Sequence, residues 1–138
     1  MAAISKTSES ATIGKVFVAA LARQAWEELA AYLDDAVRFR ALVRGGLRTA
    51  DDRASAAHRF QKWFGDADQL VLLASEVQPM HDRLHITYRF RAHEDQWYII
   101  EQQAYCTVHD GHIKQIDLLC SGFCPEITSN NTEMGGSA

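Results

Sequence analysis

The sequence predicts an α+β fold, with helices in its first third and antiparallel strands through the remainder. Three observations carry this. Apolar residues recur at spacings of three and four as far as Leu33. From Leu70 onward the pattern changes to period two. Between two of the alternating runs, Asp110-Gly111 supplies a tight-hairpin turn, whose central residues both take positive φ.

Each element has its own signal. Ser10 or Thr12 can cap a first helix in which Ile13, Val16, Phe17, Ala20 and Leu21 line one side. A bend near Arg23-Gln24 leads to a second apolar set, Trp26, Leu29, Ala30 and Leu33, ended by Asp34-Asp35. Residues 37–43 alternate as a strand, which Gly45-Gly46 breaks. Thr49-Ala50-Asp51-Asp52 opens a third helix, with Thr49 as cap and both aspartates at the positive end of the dipole. Ala54, Ala57, Phe60 and Phe64 line it, and Gly65 stops it. Strands are predicted over residues 70–78, 84–92, 97–108 and 113–120. Residues 1–10 read as a flexible arm, 11–125 as one domain, and 126–138 as a polar tail.

Composition narrows the function. The chain has 138 residues, 47% of them hydrophobic and 23% charged, enough for one core without a metal or disulfide staple. Fourteen Lys and Arg against eighteen Asp and Glu give a net charge of -4, which argues against nucleic-acid or anionic-membrane partners. Residues 16–22 form the longest apolar run. It is far too short to span a bilayer, and its pattern continues as an amphipathic helix rather than ending at a signal cleavage site. Three cysteines make no complete disulfide framework, so a reduced, cytoplasmic protein is expected.

Two stretches resemble a known family. Leu33-Asp34-Asp35-Ala36-Val37-Arg38-Phe39-Arg40 is similar to the helix-end turn and first strand of the nuclear transport factor 2-like superfamily, in its SnoaL-like branch. His109-Asp110-Gly111-His112-Ile113-Lys114-Gln115-Ile116-Asp117-Leu118-Leu119 is similar to its last hairpin and final strand. The likeness runs from roughly residue 12 to 124. It implies a curved antiparallel sheet wrapped into a cone around the helices (a cystatin-like α+β roll), enclosing an apolar cavity. It also implies a homodimer through the convex face. Members include ketosteroid isomerases, polyketide cyclases, scytalone dehydratases and epoxide hydrolases, besides proteins that only bind or dimerise, so the fold names no reaction.

The resemblance favours Gln102, Ala104, Cys106 and Val108 pointing inward beside Ile113, Ile116, Leu118 and Cys120, which requires a bulge near Lys114-Gln115. Ketosteroid isomerases carry an acidic donor where Ala104 stands, so isomerisation through such a donor is disfavoured. Asp117 is a candidate general base, although alternation places it opposite Ile116 and Leu118 and so equally suits a surface carboxylate. His85 is a candidate acid–base residue if its face is concave, while the face of Leu84, Ile86, Tyr88 and Phe90 is the more apolar. Trp26, Tyr32, Tyr88, Gln102 and Cys120 are candidate pocket residues, with the two tyrosines able to present a hydroxyl to a ligand. His109, His112, Cys120 and Cys124 match no standard zinc spacing, and neither metal nor cofactor is expected. Cys106 reads as a core residue.

The expectation is a homodimeric binder of a small apolar organic molecule, acting as a cofactor-free cyclase, isomerase, dehydratase or epoxide hydrolase type of enzyme. The alternative is a non-catalytic ligand-binding or dimerisation module.

Overall fold

The computed structural model describes residues 2–126. Its elements are α1 (Ala2–Ala22), α2 (Trp26–Ala31), β1 (Leu33–Val43), β2 (Gly46–Ala50), α3 (Arg53–Phe64), β3 (Gln69–Met80), β4 (Arg83–His93), β5 (Trp97–His109), β6 (His112–Cys120) and β7 (Cys124–Pro125). The curved sheet has the order β2-β1-β6-β5-β4-β3, and β7 pairs with β5. It is mixed rather than wholly antiparallel, because β1 and β6 run parallel.

Three expectations change. Residues 2–10 form the first turns of α1 rather than a loose arm; the tail from residue 127 lies outside the described residues. Residues 46–50 form a strand, paired to β1 through a turn at Arg44-Gly45, where Gly46 takes a φ of 123°. Five residues are too few to display alternation, so only the glycines were legible there. Consequently α3 starts later, capped by Asp52, whose side chain accepts from the Ser55 amide at 2.7 Å. Ala56, not Ala54, joins Ala57, Phe60 and Phe64 inside.

The bend after α1 is fixed by Gln24, held at a φ of 57°. Its side-chain amide donates to the carbonyls of Phe64 and Ala67 at 2.8 and 3.0 Å, tying the α1–α2 turn to the end of α3. At the β5–β6 hairpin, Asp110 and Gly111 both adopt positive φ, 54° and 76°, as a two-residue turn demands. Past it, Thr107 faces Gln115 while Val108 faces Ile113, leaving Lys114 as the extra residue of a bulge. That bulge resets parity, so Ile113 and Ile116 are both buried.

The core lies between the helices and one face of the sheet. Phe60 of α3 meets Phe17 of α1 at 5.4 Å and Phe39 of β1 at 5.5 Å, both edge-on. Phe64 meets Phe90 at 5.3 Å, and Phe90 meets Tyr88 at 5.5 Å. Such ring pairs add about 0.5–1.5 kcal/mol each beyond area burial. The packing brings α1 very near the sheet at Gly14, where a Cβ would sit 2.7 Å from Val77 Cγ1 and 2.9 Å from Leu84 Cδ2.

In an open helix Gly→Ala gains about 1 kcal/mol. Gly14→Ala is expected to reverse that sign and destabilise by about 1–3 kcal/mol, because the methyl meets a stiff valine and a buried leucine. Urea unfolding of the two proteins checks this.

Candidate functional site

Three places hold polar side chains that chemistry could use: the inner face of the sheet, its outer face, and the rim where two hairpins meet α1.

On the inner face, register places Tyr88 (β4), Gln102 (β5) and Cys120 (β6) in one row across three strands. The Tyr88 hydroxyl donates to Gln102 Oε1 at 2.5 Å, and Gln102 Nε2 donates to Cys120 Sγ at 3.3 Å. The Gly122 amide donates to the same sulfur at 3.4 Å. Gln102 is the only polar or charged residue among the buried ones described. Burial pushes the Tyr88 phenol well above its usual range and the Cys106 thiol up to about 12. The row is therefore a neutral hydrogen-bonded network that satisfies itself.

Around that row the interior is occupied by rings. Phe39, Phe60, Phe64, Phe90 and Tyr88 are each at most 2% exposed, and they pack in two sets, Phe39 on Phe60 and Phe64 on Phe90 on Tyr88. Trp26 and Tyr32 pack at the edge of the core. The Tyr32 hydroxyl donates to Glu28 Oε2 at 3.2 Å, one turn back, so it is not aimed at the Tyr88 row.

Asp117 and His85 occupy the outer face, in the row Arg40–Asp117–Tyr105–His85. Arg40 donates twice to Asp117 Oδ1, at 3.0 and 2.9 Å. Arg83 and Gln115 donate to Oδ2, at 3.0 and 3.1 Å. Burial alone would raise the Asp117 pKa, but these donors outweigh it and hold the carboxyl below its ordinary value. His85 Nε2 lies 3.2 Å from Gln103 Oε1, and its ring stacks on Tyr105 at 4.7 Å. Both residues lie on the face opposite Tyr88 and Leu118. Alternation that buries Tyr88 and Leu118 necessarily turns His85 and Asp117 outward.

The third place was missed. A cleft of about 370 Å³ opens between Glu9 and Ser10 of α1 and the β3–β4 and β5–β6 hairpins. Most of its residues fell in the expected arm and in turns, where hydrophobic periodicity says nothing, and Leu84 and Val108 stand at the ends of predicted strands. Among the described residues, no group of three or more His, Cys, Asp or Glu is placed to hold a metal ion, and no helix is long and apolar enough to cross a membrane.

This architecture is the nuclear transport factor 2-like fold. The chain is similar to a candidate polyketide cyclase of Xanthomonas campestris pv. campestris, with 19% identity, 82% of this chain and 90% of that chain covered, and a TM-score of 0.66. It is similar to an LEH-like epoxide hydrolase of M. tuberculosis at 13% identity, covering 84% and 85%, with a TM-score of 0.67. An NTF2-like protein of Burkholderia xenovorans LB400 matches at 16% identity, covering 83% and 91%, with a TM-score of 0.64. No family model and no curated protein matches the sequence.

Two outcomes follow from the two networks. Gln102→Leu leaves the buried Tyr88 hydroxyl without its acceptor and should cost about 1–3 kcal/mol in urea unfolding, with Tyr88→Phe in the same chain recovering part of it. Asp117 has a folded pKa below its unfolded value of about 3.9. Its stabilisation is thus complete above that value and lost as pH falls through the folded pKa. Asp117→Asn should be less stable than wild type at pH 7, and the gap should close below about pH 4 in a series of unfolding curves.

Proposed function

We propose that this protein is a non-catalytic, homodimeric binding module rather than a cofactor-free acid–base enzyme. The observation that carries this reading is the chemistry of the inner face. A general acid or base must reach the substrate and exchange a proton near the working pH. The described inner face offers Gln102, a tyrosine pushed far up and a thiol pushed to about 12, while Asp117 and His85 face outward. Among the described residues, the inner face carries no carboxylate or imidazole among its buried side chains, which supports the binding reading over cyclase, isomerase, dehydratase or hydrolase chemistry.

The outer face supports pairing with a second copy. Leu47, Leu42 and Leu119 stand side by side on β2, β1 and β6, and are 59%, 53% and 48% exposed. Three adjacent exposed leucines on a sheet face are costly to leave in water. Beside them Arg40 and Arg83 share Asp117, and Arg89 pairs with Glu101 at 2.8 Å. An apolar row flanked by charges that already have partners within the chain can close on its own copy at a lower desolvation cost than bare ions would impose. The reduced, cytoplasmic setting expected from the sequence belongs to this proposal, and it suits three free cysteines.

Sedimentation at micromolar concentration should give a mass of two chains. Leu42→Glu combined with Leu119→Glu should give one chain with an unchanged far-ultraviolet spectrum. A one-chain mass for wild type overturns the reading.

A further inference from the structure

We propose that the free edge of β3 pairs with the same edge of a second copy, antiparallel, about a two-fold axis between Leu73 and Ala74. This goes beyond the pairing of the outer face and does not depend on it. The sheet ends in β2 on one side and β3 on the other, and among the described residues β3 pairs only with β4. The two edges differ. β2 has five residues and carries Arg48, and shortness and charge both guard an edge. β3 runs for twelve residues with Glu76 as its one charged side chain, and its proline, Pro79, stands next to the last residue. Val71, Leu72 and Leu73 are 41%, 37% and 47% exposed along it. An edge this long and apolar offers its unpaired backbone groups as a template for another strand.

The pattern of the strand selects the occupant. Leu70 and Leu72 stand opposite Ala92 and Phe90, and Ser75 and Val77 opposite Tyr88 and Ile86, all four partners being buried on the inner face. Val71 and Glu76 stand opposite Arg91 and Thr87 on the outer face. The two halves are out of step because Leu73 is the extra residue of a bulge. The order of faces therefore reads the same in both directions from the point between Leu73 and Ala74. Turning a second β3 about that point sets Leu72 beside Ser75, Leu70 beside Val77 and Val71 beside Glu76, each on the face it already occupies. Charge agrees with this register. Each Glu76 lands at the other strand's Val71, with Arg91 on the far side of that valine. The two glutamates stay apart, and no like charges oppose each other. One strand edge buries less than a standard interface, so pairing belongs at about 100 micromolar and above.

The test uses the full chain carrying Leu42→Glu and Leu119→Glu, which closes the outer face to pairing and leaves β3 untouched. Sedimentation at about 300 micromolar should show a two-chain species that is absent at about 5 micromolar. Adding Leu73→Lys, or Leu73→Glu in its place, sets like charges across the axis, and each should weaken pairing at least about five-fold. An equimolar mixture of the lysine and glutamate chains should restore the two-chain species, as only pairing of this edge with itself requires. One chain at about 300 micromolar, pairing that Leu73→Lys leaves unaltered, or a mixture that stays at one chain each overturn the proposal. Should wild type give one chain at micromolar concentration, the outer-face reading fails and the edge is read by the same series on the wild-type background. Nuclear magnetic resonance on wild type needs no substitution. Concentration-dependent shifts at the amides of residues 70–77 support the edge, and their absence up to about 400 micromolar overturns it.

Discussion

A strand has two faces and its side chains must alternate between them, and along β4, β5 and β6 that constraint governs everything else in this molecule. Once Tyr88, Gln102 and Cys120 form a row on one side, His85, Tyr105 and Asp117 must lie on the other. The first row is uncharged and self-satisfied; the second is charged and paired across strands. A slip of one residue would turn a charged side chain of that strand, Arg89 of β4, Glu101 of β5 or Asp117 of β6, toward the phenylalanines, at a desolvation cost of several kcal/mol per ion. Register is therefore fixed by electrostatics as well as by apolar packing. The Lys114 bulge is what lets β6 obey this rule while also burying Ile113 next to the turn.

The elements that were legible in the sequence are those whose signal is local. Asp110-Gly111 needs positive φ at two successive residues, and few dipeptides permit that. The parity conflict between Ile113 and Ile116 announces the bulge before any coordinate is known. The bend at Gln24 shows as a gap in helical periodicity. What was illegible depends on distant partners. Strand β2 owes its existence to pairing with β1, and the parallel contact of β1 with β6 joins residues roughly eighty positions apart. Neither leaves a mark on five or six residues read alone. The start of α1 was hidden for another reason: residues 2–10 carry little apolar periodicity, and helix propensity by itself is a weak guide.

The candidate site shows the same division. The resemblance placed Gln102 and Cys120 inward together and Tyr88 was named for its ring and hydroxyl, and register joins all three into one row. Asp117 attracted attention as a carboxylate between Ile116 and Leu118, but neighbours in sequence on a strand are opposites in space. The groups that actually surround it are Arg40, Arg83 and Gln115. Arg40 and Arg83 lie 77 and 34 positions away, so their effect on its acidity had no sequence signature. The cleft at the rim was invisible because turns and a helix start were treated as connections, although such segments commonly carry function.

Filling the concave side with rings has a consequence for where this chain can meet other molecules. Close-packed interiors resist opening, since each displaced ring forfeits many dispersion contacts at once. A ligand entering beside Tyr88 would have to replace ring contacts and also preserve the bonds of Gln102, which accepts from Tyr88 and donates to Cys120. Recognition is then driven to surfaces that need no repacking: the outer face, where the leucine row is exposed, and the rim, where two rigid turns leave a gap against α1. The strand alternation that makes the interior inert is thus the same feature that loads the opposite face with leucines and matched charges.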